Sequence, residues 1–374
     1  MTATRAYLDY NATHPLRAEA RTAMIEALGE VGNPSSVHTE GRRARTIVEA
    51  ARREVAGLLD VDPADVVFTS GATEANAWVM AGGWQEILLS PLEHDSVLKS
   101  ARTSKARLGT LDVTARGAMD LSSLQAALER STAAGRRLVC VVAANSETGV
   151  VQPVAEVAAM ARQSGFQVFS DAVQLVGRAP LSALAGADFL SVSAHKIGGP
   201  KGVGALVLRG GADLPVLIAG GGQERGRRSG TENVAGIAGF GAAARAARLE
   251  RDRFESVSVL RDRLLTGLRA ATPAIEVLGD GAPRLVNTLC VAMRGLAADA
   301  VVIQMDLAGV AISAGSACSS GKVGASATLA AMGVATETAR GAVRFSLGLA
   351  TTADDVDAAI AAWRGIAERS RVAA

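Results

Sequence analysis

The sequence predicts an α/β protein: a mainly parallel sheet covered by helices on both faces, followed by a smaller α+β lobe. Three observations carry this. Short, continuously apolar, β-rich runs between Val66 and Ser193 alternate with helical patterns, the signature of strands buried on both faces. Those runs end on polar clusters, where sheets of this kind bind ligands beyond the carboxyl ends of their strands. A chain of 374 residues exceeds one minimal domain and suits two lobes sharing an interface.

In order along the chain, the first five residues run directly into a strand-like Ala6-Tyr7-Leu8-Asp9-Tyr10, with no charged segment and apolar stretch ahead of it, so no signal peptide is expected. Alanines and aliphatics recur at helical spacing between arginines and glutamates over residues 41–59. Strands are expected at 66–69, 86–90, 138–142, 167–170 and 189–193, with a helix at 154–164. Their polar ends are Gly71-Ala72-Thr73, Asn145-Ser146-Glu147, Asp171, and Ser193-Ala194-His195-Lys196. A long helical stretch at 232–270 carries the chain out of the first lobe. Beyond it, strands are expected at 285–293 and 308–313 and helices at 298–307 and 353–369, with the N-terminal strand joining this second lobe. No internal repeat or low-complexity tract interrupts the pattern, and Gly220-Gly221-Gly222 is short enough to serve close backbone approach rather than linkage.

Composition excludes several function classes. Hydrophobic residues make up 49% and charged residues 20%, an ordinary balance for a soluble protein with a sizeable core. A net charge of +2 and 3% aromatics give no footprint for nucleic acid or a membrane surface. The apolar regions are broken by Gly, Arg or Asp before membrane-spanning length. Cys140, Cys290 and Cys318 cannot all pair with one another and lack metal-ligand spacing, which fits a reduced, cytoplasmic setting. Of the 39 basic residues only Lys99, Lys105, Lys196, Lys201 and Lys322 are lysines, so each lysine is a better candidate for a specific role than usual.

Lys196 follows a buried strand and sits among small residues, where a desolvated amine becomes available for Schiff-base chemistry; the alternative is a surface lysine in a glycine-rich turn. Asp171 at a neighbouring strand end is what a pyridoxal cofactor needs to keep its ring nitrogen protonated, with Gln174 in reach of the phenolic oxygen; a helix-capping aspartate is the alternative. Ser70 to Asn76 opens a helix after a strand, so backbone N–H groups and the Thr73 hydroxyl can converge on a phosphate, although the same residues describe a plain helix cap. His94, one of four histidines, can stack on a flat cofactor and move protons, or be a structural loop histidine. Cys318 lies in a run of very small residues, unlike Cys140 and Cys290 on apolar strands, and an exposed thiol on such an arm suits sulfur transfer, with Lys322 favouring the thiolate. Arg344, inside an apolar strand, needs an anionic partner: a substrate carboxylate or a structural salt bridge.

Taken together these segments resemble the cysteine desulfurases of the NifS/IscS type, in the class-V aminotransferase family of fold-type-I pyridoxal-phosphate enzymes. The likeness runs through Tyr7-Leu8-Asp9-Tyr10-Asn11-Ala12-Thr13, Gly32 to His38, Phe68 to Glu74, Glu147 to Pro153, Asp171-Ala172-Val173-Gln174, Ser193-Ala194-His195-Lys196, Arg228-Ser229-Gly230-Thr231, Gly315-Ser316-Ala317-Cys318 and Arg344 to Gly348. It implies a fold-type-I transferase with a seven-stranded, mainly parallel sheet in a large cofactor-binding domain at 15–250. A small domain would be formed by 1–14 together with 251–374. Pyridoxal 5'-phosphate would be held covalently by Lys196, with Asp171 on the ring nitrogen, Gln174 on the phenolic oxygen and His94 on the ring face. Ala72, Thr73, Ser193 and His195 would hold the phosphate, with Thr231 reaching in from the partner of a homodimer. Arg344 and Asn11 would bind L-cysteine, and Cys318 would take its sulfur as a persulfide, leaving alanine.

Acceptors would be proteins such as an iron–sulfur assembly scaffold, with nitrogenase maturation and tRNA thiolation as further destinations. The resemblance implies no resident metal and allows Cys318 to be a transient iron–sulfur ligand. Two positions depart from the family pattern: Ser146 replaces an asparagine that contacts the cofactor or the substrate carboxylate, and His14 replaces a threonine. Rival readings are a related pyridoxal enzyme acting on selenocysteine, and a non-catalytic sulfur-transfer partner that keeps only the fold.

Overall fold

A computed structural model describes residues 5–293, 295–315 and 326–372. The chain opens with β1 (Ala6–Tyr7), α1 (Ala18–Leu28) and α2 (Thr39–Leu59). Helix α2 starts two residues before its periodic pattern because His38 caps it, accepting from the Gly41 backbone N–H, and it stops at Asp60 in the left-handed conformation. There follow β2 (Val66–Thr69), α3 (Ala72–Met80), β3 (Glu86–Leu89), α4 (Asp95–Thr103), β4 (Arg107–Thr110), α5 (Leu121–Arg130), β5 (Arg137–Cys140), α6 (Val154–Gln163), β6 (Gln167–Asp171), β7 (Phe189–Ser193) and β8 (Gly204–Leu208).

These strands form a seven-stranded sheet in the order β2-β8-β7-β6-β5-β3-β4. It is parallel except at β8, which runs against both of its neighbours. Alternate residues of each strand serve opposite faces. Val139, Val168 and Leu190 pack in one core with α2, α6 and α7 (Val234–Leu249), while Leu138, Phe169 and Phe189 pack in another with α3 and α4. Two strands lie outside the runs expected from the sequence. Strand β4 is a largely exposed edge without an apolar pattern, and β8 follows a glycine-rich loop.

The expectation of one helical stretch at 232–270 is corrected. It is broken by a 3-10 segment, Arg251–Ser256, before α8 (Val257–Ala271). At this break the chain passes between cores: Phe240 is buried with the large sheet, Phe254 with the second lobe. That lobe holds β9 (Glu276–Val277), β10 (Thr288–Ala292), α9 (Ala298–Leu307), β11 (Val310–Ala311), β12 (Ser313–Ala314), α10 (Ala327–Ala331), α11 (Thr336–Arg340), β13 (Ala342–Ser346) and α12 (Ala353–Val372). Its antiparallel sheet has the order β12-β13-β10-β9, while β1 pairs in parallel with β11. The single strand expected at 308–313 is therefore two, in different sheets, parting at Ile312. No helix among the described residues is long and apolar enough to cross a membrane.

Candidate active site

A cavity of about 620 Å³ opens where β2, β6 and β7 end, beneath the loops that follow β3 and β5. A larger groove of about 830 Å³ between α1, α2 and α7 is lined by alanines, glutamates and arginines, and contains none of the expected site residues. The smaller cavity brings together Lys196, Asp171, Gln174, His94, Ala72, Thr73, Ser146, Ser193, His195, Arg344 and Asn11.

Lys196 ends a single 3-10 turn, Ala194–Lys196, directly after β7. Its Nζ donates to the backbone oxygens of Asn11 at 2.6 Å and Ala12 at 2.9 Å. His195 beside it pairs through Nδ1 with Thr13 Oγ1 at 3.1 Å. Burial, then the charges of Lys196, Lys201 and Arg178, pull its imidazole down to about 4, so it is neutral at physiological pH.

Asp171 is the last residue of β6 and is 5% exposed. Its Oδ1 accepts from the Val173 N–H at 3.1 Å and its Oδ2 from Asn76 Nδ2 at 3.0 Å. It therefore does cap the following turn, yet no cation among the described residues pairs with it. Nearby Glu93 is buried; desolvation and then the Asp171 charge push its carboxyl well above the usual range. Gln174 donates through Nε2 to Asn11 O at 3.0 Å and accepts at Oε1 from Arg178.

At the other end of the cavity, α3 begins at Ala72 behind Gly71, whose φ of 154° favours glycine. Ser193, Lys201 and His195 line the same end. Glu74 serves the cap that the sequence allowed, accepting from the Ser70 N–H at 2.8 Å while pairing with Arg228 at 2.9 Å. His94 caps α4: its Nδ1 accepts from the Ser96 N–H at 3.1 Å, which fixes that nitrogen as the unprotonated one.

Arg344 is 2% exposed on β13. Of the two anionic partners weighed for it, the structural one is present: Asp9 pairs with it at 2.7 Å, and the Ser146 carbonyl accepts at 2.9 Å. Its Nε is buried without an acceptor among the described residues. Asn11, expected at the substrate, lines the cavity, but its amide is engaged within the protein by Thr288, Ser146, Arg178 and Asn287. Ser146 contributes its backbone oxygen to both Asn11 and Arg344. Thr231 is exposed and outside this cavity. Cys318 lies outside the described residues. The other two thiols are core groups: burial raises Cys140 well above its ordinary value and Cys290 to about 12.

Three residues join the site without having been expected there, and Glu147, from the expected polar end after β5, lies outside the cavity lining. Asn76 interrupts the apolar second half of α3 to reach Asp171, and Arg178 follows Gln174 by one helical turn's spacing. Lys201 lines the cavity. Glu147 accepts from Ser326 Oγ at 2.6 Å, and burial pushes its carboxyl up to about 7.

The aminotransferase class-V family model matches residues 6–359. A cysteine desulfurase of Cereibacter sphaeroides is 43% identical over 94% of this chain and 93% of its own length. The cysteine desulfurase IscS of Dictyoglomus turgidum is 38% identical over 98% of this chain and 95% of its own. Among solved structures, a NifS-like protein from Rickettsia africae superposes with a TM-score of 0.90 at 32% identity, covering 97% of this chain and 99% of that one.

Proposed function

The chain belongs to the class-V aminotransferase family, and from that premise we propose that it is a pyridoxal-phosphate-dependent cysteine desulfurase that hands sulfur on through Cys318. The observation that carries the reading is the buried carboxylate of Asp171, with two hydrogen-bond donors and no cationic partner among the described residues, in one cavity with Lys196. An uncompensated buried anion is costly, and a protonated ring nitrogen is the counter-charge that fits it. The rest of the cavity fits the same group. The α3 N-terminus, Thr73, Ser193 and His195 form an end suited to a phosphate, Gln174 and Ser146 lie along the wall, and the His94 ring lines the space between.

When bound, the cofactor supplies an electron sink for the α-carbon of the substrate. The chain's residues do the rest. The Lys196 amine carries the cofactor and, once displaced, moves protons at the substrate, with His94 as the second group able to do so. Arg344, with N–H groups beyond the two given to Asp9 and Ser146, would bind the cysteine carboxylate, and Asn11 holds the strand that positions it. The sulfur acceptor must be a thiolate. Cys140 and Cys290 are held protonated in the core, which supports Cys318 as that group. The carbon–sulfur bond of cysteine breaks, a proton replaces sulfur on carbon to give alanine, and the sulfur leaves as a persulfide on Cys318.

The large lobe at 15–250, the small lobe formed by 1–14 with 251–374, and a homodimer in which Thr231 completes the partner's phosphate end belong to the same reading. So does transfer of the persulfide sulfur to an iron–sulfur scaffold. The test is direct: alanine and persulfide are measured after adding L-cysteine to the purified protein. Lys196→Ala is expected to make no alanine. Cys318→Ser is expected to bind cysteine and release no sulfide, and full sulfide release by that variant would overturn the assignment of the thiol.

A further inference from the structure

Among the described residues three arginines are deeply buried: Arg52, Arg344 and Arg178. Arg52 pairs with Glu224 and Arg344 with Asp9. Arg178 has no carboxylate within ion-pair distance among the described residues, and is 7% exposed. It donates instead to four neutral oxygens: Asn11 Oδ1 at 2.8 Å, Gln174 Oε1 at 2.5 Å, the Lys196 carbonyl at 3.0 Å and the Tyr10 carbonyl at 3.2 Å. Burial and the Arg344 charge draw its guanidinium down to about 9, which leaves it cationic at neutral pH. An unpaired buried cation is costly, and its placement is specific. Asn11 accepts from Arg178 with its side chain and from Lys196 Nζ with its backbone oxygen, so guanidinium and amine bracket one residue.

We propose that Arg178 is a positioning residue whose unpaired charge disfavours the ammonium form of Lys196, raising the share of neutral, nucleophilic amine at a given pH, while its hydrogen bonds fix the groups around that amine. A second cation beside a buried first one is disfavoured, so the ammonium form is the one penalised. Of the other cations near the amine, Lys201 lines the cavity, whereas Arg344 and Arg17, which donates to the Ile197 carbonyl, are each offset by a carboxylate, Asp9 and Glu250. His94 and His195 line it too, the latter neutral under this field. Opposing them are two carboxylates, Asp171 and Glu74, and Glu74 is tied to Arg228. Arg178 also takes the Gln174 oxygen, which turns the Gln174 amide nitrogen towards Asn11.

The inference rests on Lys196 as the reactive amine of the proposed function, but its test needs no catalysis. The full chain, stripped of cofactor, is labelled with limiting acetic anhydride over a pH series, and acylation of each lysine is read by peptide mass mapping. Lys196 is expected to reach half-maximal labelling about one pH unit or more below exposed Lys99 and Lys105. Arg178→Met is expected to raise that midpoint by about one unit, about tenfold less neutral amine at fixed pH, and Arg178→Lys to restore it. A wild-type Lys196 that titrates with Lys99 overturns the proposal, and needs no variant. So does an unmoved midpoint in folded Arg178→Met, or a shift that Arg178→Lys does not reverse. A depressed midpoint in a protein that makes no alanine from cysteine would sustain this inference and overturn the proposed function.

Discussion

Glu224→Gln isolates what holds the strand that leads into α3 at one end of the cavity. The Glu224 carboxylate accepts from Arg52 at 2.7 and 2.9 Å and from the Phe68 N–H at 2.9 Å. Phe68 lies on β2, two residues before Ser70 and the turn into α3. Both charged side chains are dry, with 6% of Arg52 and 3% of Glu224 exposed. Glutamine keeps an oxygen for Phe68 but leaves the guanidinium without its counter-charge. Losing one partner of a buried pair costs about 3–5 kcal/mol. Glu49 reaches Arg52 at 3.1 Å but is 42% exposed, so it recovers only part of this. The expected loss is about 3 kcal/mol in urea unfolding followed by tryptophan fluorescence, since Trp78 and Trp84 are buried against the same sheet. Arg52→Met added to Glu224→Gln removes the stranded charge and is expected to recover part of the loss. A loss under about 1 kcal/mol for Glu224→Gln, or no recovery in the double variant, would refute the reasoning.

Three further outcomes are expected. Burial raises the Glu147 carboxyl from 4.5 to about 7, so the folded chain binds that proton more tightly than the unfolded one. Stability from this group is therefore present at low pH and lost as pH rises through that window, by about 3 kcal/mol. Glu147→Gln should flatten the slope in urea midpoints, and a variant that keeps the wild-type slope would count against it. His195 acts with the opposite sign: burial lowers its imidazole from 6.5 to about 4, so stability is present above 6.5 and lost as pH falls, and His195→Asn should lessen the acid loss in the same assay. Asn76→Ala removes a hydrogen bond to the Asp171 carboxylate, a bond of about 1.5 kcal/mol. About tenfold weaker cofactor retention is expected on dialysis, read by visible absorbance with the fold intact, and unchanged retention would deny Asn76 that role.

Much of the fold is legible in the sequence because strands buried on both faces must be apolar throughout. The runs at 66–69, 167–170 and 189–193 are β2, β6 and β7 to within a residue. Strand β4, on an exposed edge, carries no such constraint and leaves no such pattern. The break between α7 and α8 is hidden for a different reason. Helical spacing continues across 250–256, and only the handover of Phe240 and Phe254 to separate cores places the break. Within the site, residues that end strands were readable from position alone. Asp9 was not, since its partner Arg344 is 335 residues away, and neither was Arg178, whose four acceptors come from three separate segments.

Asn11 shows why the two halves of the site cannot vary independently. Its N–H donates to Ser346 Oγ at 2.9 Å, and its amide to Thr288 Oγ1 at 2.9 Å, which tie it to β13 and β10 of the second lobe. Its backbone oxygen receives Lys196 and Gln174, and its side-chain oxygen receives Arg178, all from the large sheet's loops. Ser346 is two residues along β13 from Arg344. One asparagine therefore ties the Lys196 amine to the strand that carries the Arg344 guanidinium. Because every polar atom of that residue is engaged, a shift of either lobe must break a buried hydrogen bond before it can change the spacing. The geometry of the cavity is thus a property of the seam, held by a residue for which the family resemblance implied contact with the substrate.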